Sequence, residues 1–310
     1  MPLSLIAGAD DSGRRLDRVL RKALRQTPLS AIHRMLRQGL VLVDGRKAGA
    51  DRRLLAGETI TVPVAEGTSN RQPAPNGEKA TLKLPEILFE GSGLLILNKP
   101  AGLSVHGRGS VNDLVQSYLV KKLRPSLSFR PGPLHRLDRP SSGVLVFSTS
   151  LEGARCFSAM MRDGKIKKQY LAVVEGQIEN GEVWKDELFR DEKIKKTYAG
   201  NSDGNTSEHE KGKTALTKVS ALTGNKDCSL VLFEIETGRT HQIRAQAASR
   251  RHPLLGDKKY GGSPLSGGFL LHAWRLHLPP PFPPIVEAPL PENFKNKIEK
   301  LFGIDMGYFQ

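Results

Sequence analysis

Only two cysteines occur in this sequence, Cys156 and Cys228, and they form no CxxC pair. A disulfide framework is therefore excluded, and a reducing compartment is expected. The eight histidines have no HExxH spacing and do not cluster with the cysteines, so neither a zinc site nor any other cofactor is expected. No P-loop is present. No apolar run approaches the roughly 18 residues that a membrane span requires, so a membrane is not an expected partner. Met1 to Asp10 is too short and too quickly acidic for a signal peptide. A cytoplasmic protein follows as the expectation. No coiled-coil stretch or strongly apolar edge is evident, so a monomer without a protein partner is expected.

Acids are also scarce relative to bases. The chain has 32 Asp and Glu against 47 Lys and Arg, a net charge of +15. Such an excess favours a polyanion, because each neutralised phosphate releases condensed counterions. At 310 residues and 38% hydrophobic content, the chain can build two ordinary domains.

About half of the excess charge lies in one short stretch. Residues 12–63 carry twelve Lys or Arg and four acids, a balance of +8. Leu16, Val19, Leu20, Ala23 and Leu24 recur with helical spacing, and Thr27-Pro28 stops that helix. Ser30 is placed to cap a second helix with Ile32, Met35 and Leu36, ending at Gly39. A short strand, Leu40 to Val43, then meets the turn Asp44-Gly45, and Thr59 to Val62 alternates as a strand. Arg21, Lys22, Arg25, Arg34 and Arg37 fall on the polar sides of the helices, and Arg46 and Lys47 follow the turn. This helix–helix–hairpin order with a basic face resembles the S4 RNA-binding domain. A solvated charged surface is the plainer alternative. Residues 65–80 lack apolar periodicity and read as a flexible linker, which would let the basic module find RNA semi-independently.

Beyond the linker, strands are expected at 87–89, 94–97, 144–147, 170–174, 229–235 and 270–278. Helices are expected at 111–123 and 292–302, and Cys156 and Phe157 sit in a further apolar helix. The order shows no regular βαβ repeat, which indicates an α+β fold. Residues 199–213 are polar and read as a mobile insertion.

Three polar clusters stand out. Asp138 lies in a loop, flanked by Arg136 and Arg139 with His135 nearby. Cations around a carboxylate hold it ionised, which suits a nucleophile. The same composition fits a salt-bridged surface loop. Thr237 to Arg244 forms a Gly turn and a helix start that sets His241 and Arg244 three apart. Lys168 and Tyr170 enter a strand.

Taken in order, these segments resemble the RluA-type family of pseudouridine synthases. His135 to Gly143 fits the stretch around the family's aspartate, and Gly238 to Arg244 reads GRTHQIR unbroken. Asn98 to His106, the Lys168–Tyr170 pair, His252 to Gly261 and Leu271 to Ala273 follow the remaining landmarks. Pro140, Ser141 and Gln246 depart from the commoner residues. The resemblance implies a catalytic domain over residues 81–310, with a mixed, mostly antiparallel sheet and flanking helices. Ahead of it would stand an S4-like domain at 12–64, as in the large-subunit ribosomal branch. By the same resemblance Asp138 acts on the nucleoside, Arg244 pairs with it, and Tyr170 stacks on the uracil and helps remove the C5 proton. Arg136 fills the space of the flipped nucleotide, Ile243 walls the base, and His135 and Arg139 contact the substrate. The RNA would be ribosomal. A transfer RNA substrate, or a non-catalytic RNA-binding assembly factor, is the alternative.

Overall fold

The computed structural model describes residues 2–63, 83–123, 126–179, 181–200 and 212–304. The expected linker at 65–80 lies outside them, as do residues 201–211 of the expected insertion. The ends of that insertion are regular, contrary to expectation. Ala199 and Gly200 close one strand, and Lys213 opens the next.

The N-terminal unit runs β1 (Leu3–Ile6), α1 (Leu16–Ala23), α2 (Leu29–Arg37), β2 (Leu42–Val43), β3 (Arg46–Lys47) and β4 (Thr59–Val62). Its antiparallel sheet has the order β1-β4-β2-β3. Leu16, Val19 and Leu20 of α1 meet Ile32 and Leu36 of α2 over Val43, Ile60 and Val62, all buried. Each such side chain contributes about 1.5–3 kcal/mol of transfer free energy. Asp44 and Gly45 both take positive φ, 47° and 76°, as a two-residue hairpin turn requires. The structure corrects two details. Residues 3–11 belong to this unit, because β1 pairs with β4. Pro28, not Ser30, precedes the first turn of α2.

The second unit continues with β5 (Ile87–Gly91), β6 (Leu94–Lys99), α3 (Val111–Leu119), β7 (Gly132–Pro133), β8 (Ser142–Ser148), α4 (Leu151–Arg162) and β9 (Lys167–Glu175). There follow β10 (Glu182–Asp191), β11 (Lys196–Gly200), β12 (Lys213–Gly224), β13 (Cys228–Ile235), α5 (Gln242–Ser249), β14 (Leu271–His277), β15 (Ile285–Glu287) and α6 (Glu292–Phe302). Nine strands form the path β11-β10-β12-β13-β9-β14-β8-β6-β5, with β15 on β14 and β7 on β8. All of its pairings are antiparallel except that of β14 with β8. The fold is α+β on a mixed sheet.

Strand alternation sends side chains to two faces. Leu95, Leu97, Leu145, Phe147, Tyr170 and Ala172 pack with Val111 and Val115 of α3 and Ile243 and Ala247 of α5. On the opposite face, Leu94, Ile96, Val144 and Val146 meet Phe157 and Met160 of α4, and Leu171 and Val173 meet Phe294 and Ile298 of α6. The α3/α5 face carries the site described next.

The two units are fastened together. Asp11 is fully buried and accepts hydrogen bonds from Gly8 N, Ser126 Oγ, Leu127 N, Ser128 N and the Ser128 hydroxyl. Asp10 Oδ1 accepts from Leu151 N, at the start of α4, at 2.7 Å. Arg14 Nη1 donates to Ser128 Oγ at 2.6 Å. The module is thus docked, not semi-independent as the sequence suggested. The reason is local: two acids next to its first strand satisfy backbone donors of the other unit.

Candidate active site

The loop from Leu134 to Ser141 lies between β7 and β8, and three sets of contacts shape it. The Ser141 amide donates to Asp138 O at 3.1 Å, closing a turn. Gly102 N donates to Arg139 O at 2.8 Å, and Arg139 Nε donates to Gly102 O at 2.9 Å. Lys99, at the end of β6, is fully buried and directs its ammonium to the carbonyls of Pro100, Leu103 and Arg139. Burial pulls its pKa down to about 8, and the Asp138 charge opposes that shift. Three carbonyl acceptors match three ammonium protons, so the charged form is retained at neutral pH. Beyond the turn, Gly143 lets β8 run close beside β14.

Asp138 meets its partner from α5. Arg244 Nη1 donates to Asp138 Oδ2 at 2.7 Å. The rest of the guanidinium faces Asp257, with Nε to Oδ2 at 2.7 Å and Nη2 to Oδ1 at 2.9 Å. It also packs over the rings of Tyr260 and Phe269, at 4.8 and 4.6 Å. Burial alone would lower the Arg244 pKa, but Asp257 and Asp138 outweigh it and push it up. The planar group is therefore fixed as a cation between two carboxylates.

Two glutamines hold the helix that presents Arg244. Gln242 accepts from Thr237 Oγ1 and Arg239 N, and donates to Leu216 O and Thr217 Oγ1. Gln246 accepts from Thr217 Oγ1 and donates to Trp184 O and Asp186 Oδ2. Gln246, a departure from the family pattern, is thus fully buried and satisfied. His241 takes the left-handed conformation just before α5, with φ 56°. Its Nε2 lies 3.7 Å from Asp138 Oδ1, and its Nδ1 is 2.8 Å from the Tyr260 hydroxyl. Burial brings the His241 pKa down to about 4, against the pull of Asp138, so the ring is neutral at physiological pH.

Tyr170, Ile243 and Leu137 form the apolar side of the site and belong to one buried cluster. Burial, with the charge of Asp138 added, pushes the Tyr170 phenol far up. The phenol stays protonated and offers a ring face and a donor to the site.

The structure thus gathers Asp138, Arg244, Tyr170 and Ile243. Arg136 and Arg139 are exposed, so the ion pair of Asp138 is made by Arg244 and not by its sequence neighbours. Arg139, expected at the substrate, ties the two loops through Gly102. His135 was also expected there. Its Nε2 instead accepts from Val146 N at 3.0 Å, and its ring lies 6.5 Å from Phe157 of α4. An unpaired strand amide beside the loop takes the imidazole, and burial lowers the pKa to about 4, keeping it a neutral acceptor. Arg21, Lys22, Arg25, Arg34, Arg37, Arg46 and Lys47 are all exposed on the N-terminal unit. Asp257 and Lys99 were missed as site residues, although both lie in landmark segments. Among the described residues, no group of three His, Cys, Asp or Glu converges as a metal site, and no helix is long and apolar enough to cross a membrane.

Comparison with known proteins adds the following. Residues 93–249 match the family described as RNA pseudouridylate synthase. The chain is 31% identical to ribosomal large subunit pseudouridine synthase C of Escherichia coli, over 94% of each protein. It is 33% identical to the protein of the same name from Vibrio cholerae, over 81% of this chain and 78% of that one. Among solved structures, human RNA Pseudouridylate Synthase Domain Containing 4 superposes with a TM-score of 0.57 at 23% identity. That superposition covers 69% of this chain and 92% of the human one, and it supports the fold.

Proposed function

The chain belongs to the RNA pseudouridylate synthase family, and from that premise we propose that it isomerises uridines of large-subunit ribosomal RNA, with Asp138 as the reacting carboxylate. The observation that carries the site assignment is the ion-paired line Asp138–Arg244–Asp257 beside Tyr170 and Ile243. The ribosomal substrate is supported by the names of the relatives that the chain resembles over most of its length.

The reaction is an isomerisation. The N1–C1′ bond breaks, the uracil turns, and a C5–C1′ bond forms. One proton leaves C5 and one is gained at N1. Whichever atom of the nucleoside Asp138 addresses, it must do so as the carboxylate. Arg244 donates to Oδ2 and so aims the group, leaving the other oxygen, Oδ1, beside His241. Tyr170 supplies a face for the uracil, and Ile243 backs it. Arg136, exposed two residues before Asp138, would occupy the gap left by a flipped nucleotide, whose unstacking costs roughly a few kcal/mol. The N-terminal unit, residues 12–64 with β1 added, is read as an S4-like domain whose seven exposed cations contact the RNA backbone.

Asp138→Asn should fold, bind RNA and form no pseudouridine. Mapping pseudouridines in cellular RNA of the mutant would test this, and survival of every site would sink the assignment. Replacing Arg21, Arg25 and Arg34 by Gln should lower modification of ribosomal RNA far more than that of a short stem-loop. An equal fall on both, or modification confined to transfer RNA, would reject the ribosomal reading.

A further inference from the structure

A cavity of about 470 Å³ opens where the N-terminal unit meets α4, beside the basic face of α1. Arg14, Arg15, Arg18 and Arg53 line it from one unit and Arg155 from the other. Asp17 accepts from Arg15 Nε and Nη2 at 3.2 and 3.0 Å, while Asp10 and Asp11 at the same junction are engaged by backbone amides and serine hydroxyls. Among the described residues these five guanidinium groups make one ion pair, Arg15–Asp17, so an anion between them would relieve their mutual repulsion.

Three of these side chains are already held in place. Arg14 is bonded to Ser128, Arg15 to Asp17, and Arg53 Nη1 to Gly13 O at 2.7 Å. Arg18 and Arg155 are exposed. The two walls are also fixed to one another. Asp10 caps α4 at Leu151, one turn before Arg155, and the buried Asp11 grips residues 126–128. A cavity that is preformed, dominated by forked donors and shared by both units suits phosphodiester oxygens, which take two parallel N–H bonds from a guanidinium.

We propose that this junction cavity is a second RNA-backbone site, which takes phosphates of the substrate strand outside the modified nucleotide and so binds both units of the protein to one RNA. The proposal rests on the RNA reading above and adds a site to it. It assigns Arg155, on the catalytic unit, to the same RNA contact as the arginines that precede and enter α1.

The test uses the full chain and a structured fragment of large-subunit ribosomal RNA. Binding is followed by fluorescence anisotropy over a salt series, for wild type, Arg18→Gln, Arg155→Gln and the double variant. Each lost phosphate contact should flatten the plot of log K against log salt by about 0.7–0.9. The double variant should bind roughly ten- to a hundredfold more weakly at moderate salt. Its activity on a minimal stem-loop that spans only the target uridine should stay unchanged. Both residues are exposed and lie on different units, so either single variant reports independently, and thermal melts check that each is folded. Unchanged slopes in both single variants would overturn the site. Tight binding of inorganic pyrophosphate, lost in the variants while the RNA slope is unmoved, would overturn it in favour of a small-anion site. Wild type that makes no pseudouridine in ribosomal RNA would instead sink the substrate reading, which the Asp138→Asn control separates from loss of binding.

Discussion

Arg244 is held by two carboxylates of different character. Asp138 keeps 15% of its side chain accessible, as a group that must reach a substrate, whereas Asp257 keeps 2% and contacts the guanidinium twice. Asp257 is a positioning residue: it fixes the fork so that only Nη1 is left for Asp138. Asp257→Asn keeps the shape and removes the charge, leaving a buried cation with one partner. Breaking a buried pair in this way costs about 3–5 kcal/mol, and a misaimed reacting group can cost about a hundredfold in rate. The expectation is a lower unfolding midpoint, a kcat reduced by roughly ten- to a hundredfold, and a KM for RNA that barely moves. A variant that is less stable but turns over normally would reduce Asp257 to a purely structural role. Asp138, Tyr170 and Arg244 were legible from the sequence because their motifs carry them. The pairing of Arg244 with Asp138 was implied by the resemblance as well, whereas the contacts of Asp257 and His135 were not legible. The arginines adjacent to Asp138 in sequence point to solvent, and its partner comes from 106 residues away. The role of Asp257 depends on the chain turning back after α5, which no local pattern encodes. His135 was misplaced because a strand amide, invisible in sequence, claims its ring.

At the scale of elements, the parallel pairing of β14 with β8 locates the active loop. His272 lies opposite Ser142, and Ala273 lies opposite Gly143. Gly143 has φ 108°, and a Cβ there would lie 2.1 Å from Ala273 O and 2.7 Å from its N and C. The obstacle is backbone of a central strand, which cannot step aside as a side-chain tip would. Gly143→Ala therefore combines a backbone clash with a conformation that L residues avoid, and should cost about 3 kcal/mol or more. It should also shift Asp138, five residues earlier, and abolish turnover. Urea unfolding and single-turnover kinetics would check both effects, and near-native values of each would refute the close approach. Most of the sheet was legible in its apolar runs, as in β6, β8, β9 and β13, because their positions are buried on both faces. The strands β10 to β12 were missed because they lie toward one end of the sheet, where exposed polar residues interrupt the alternation. The four residues of β1 were too few for any period to register.

Across the whole molecule, three histidines are held neutral by burial: His135, His241 and His272 all have pKa values brought down to about 4. In the unfolded chain they take up protons near pH 6.5, and in the fold only near 4. Between these values the unfolded state binds more protons, so stability is full above about 6.5 and falls as the pH drops toward 4. His272 is the most enclosed of the three. Its Nδ1 is 2.8 Å from Ser142 Oγ and its Nε2 is 3.0 Å from Ala288 O. A displacement from 6.5 to about 4 corresponds to something on the order of 3 kcal/mol for this one ring. Because Ser142 begins β8, charging His272 loads the same junction that orders the Asp138 loop, so acid should weaken activity and stability together. His272→Gln offers an acceptor to Ser142 and a donor to Ala288 but cannot titrate in this range. It should be less stable than wild type at pH 7, having lost packing beside Phe294, yet its unfolding midpoint should fall less steeply between pH 6.5 and 4. Parallel melting curves of the two proteins across that range decide the matter: equal slopes would mean that His272 exchanges no proton on unfolding and that the acid sensitivity lies elsewhere.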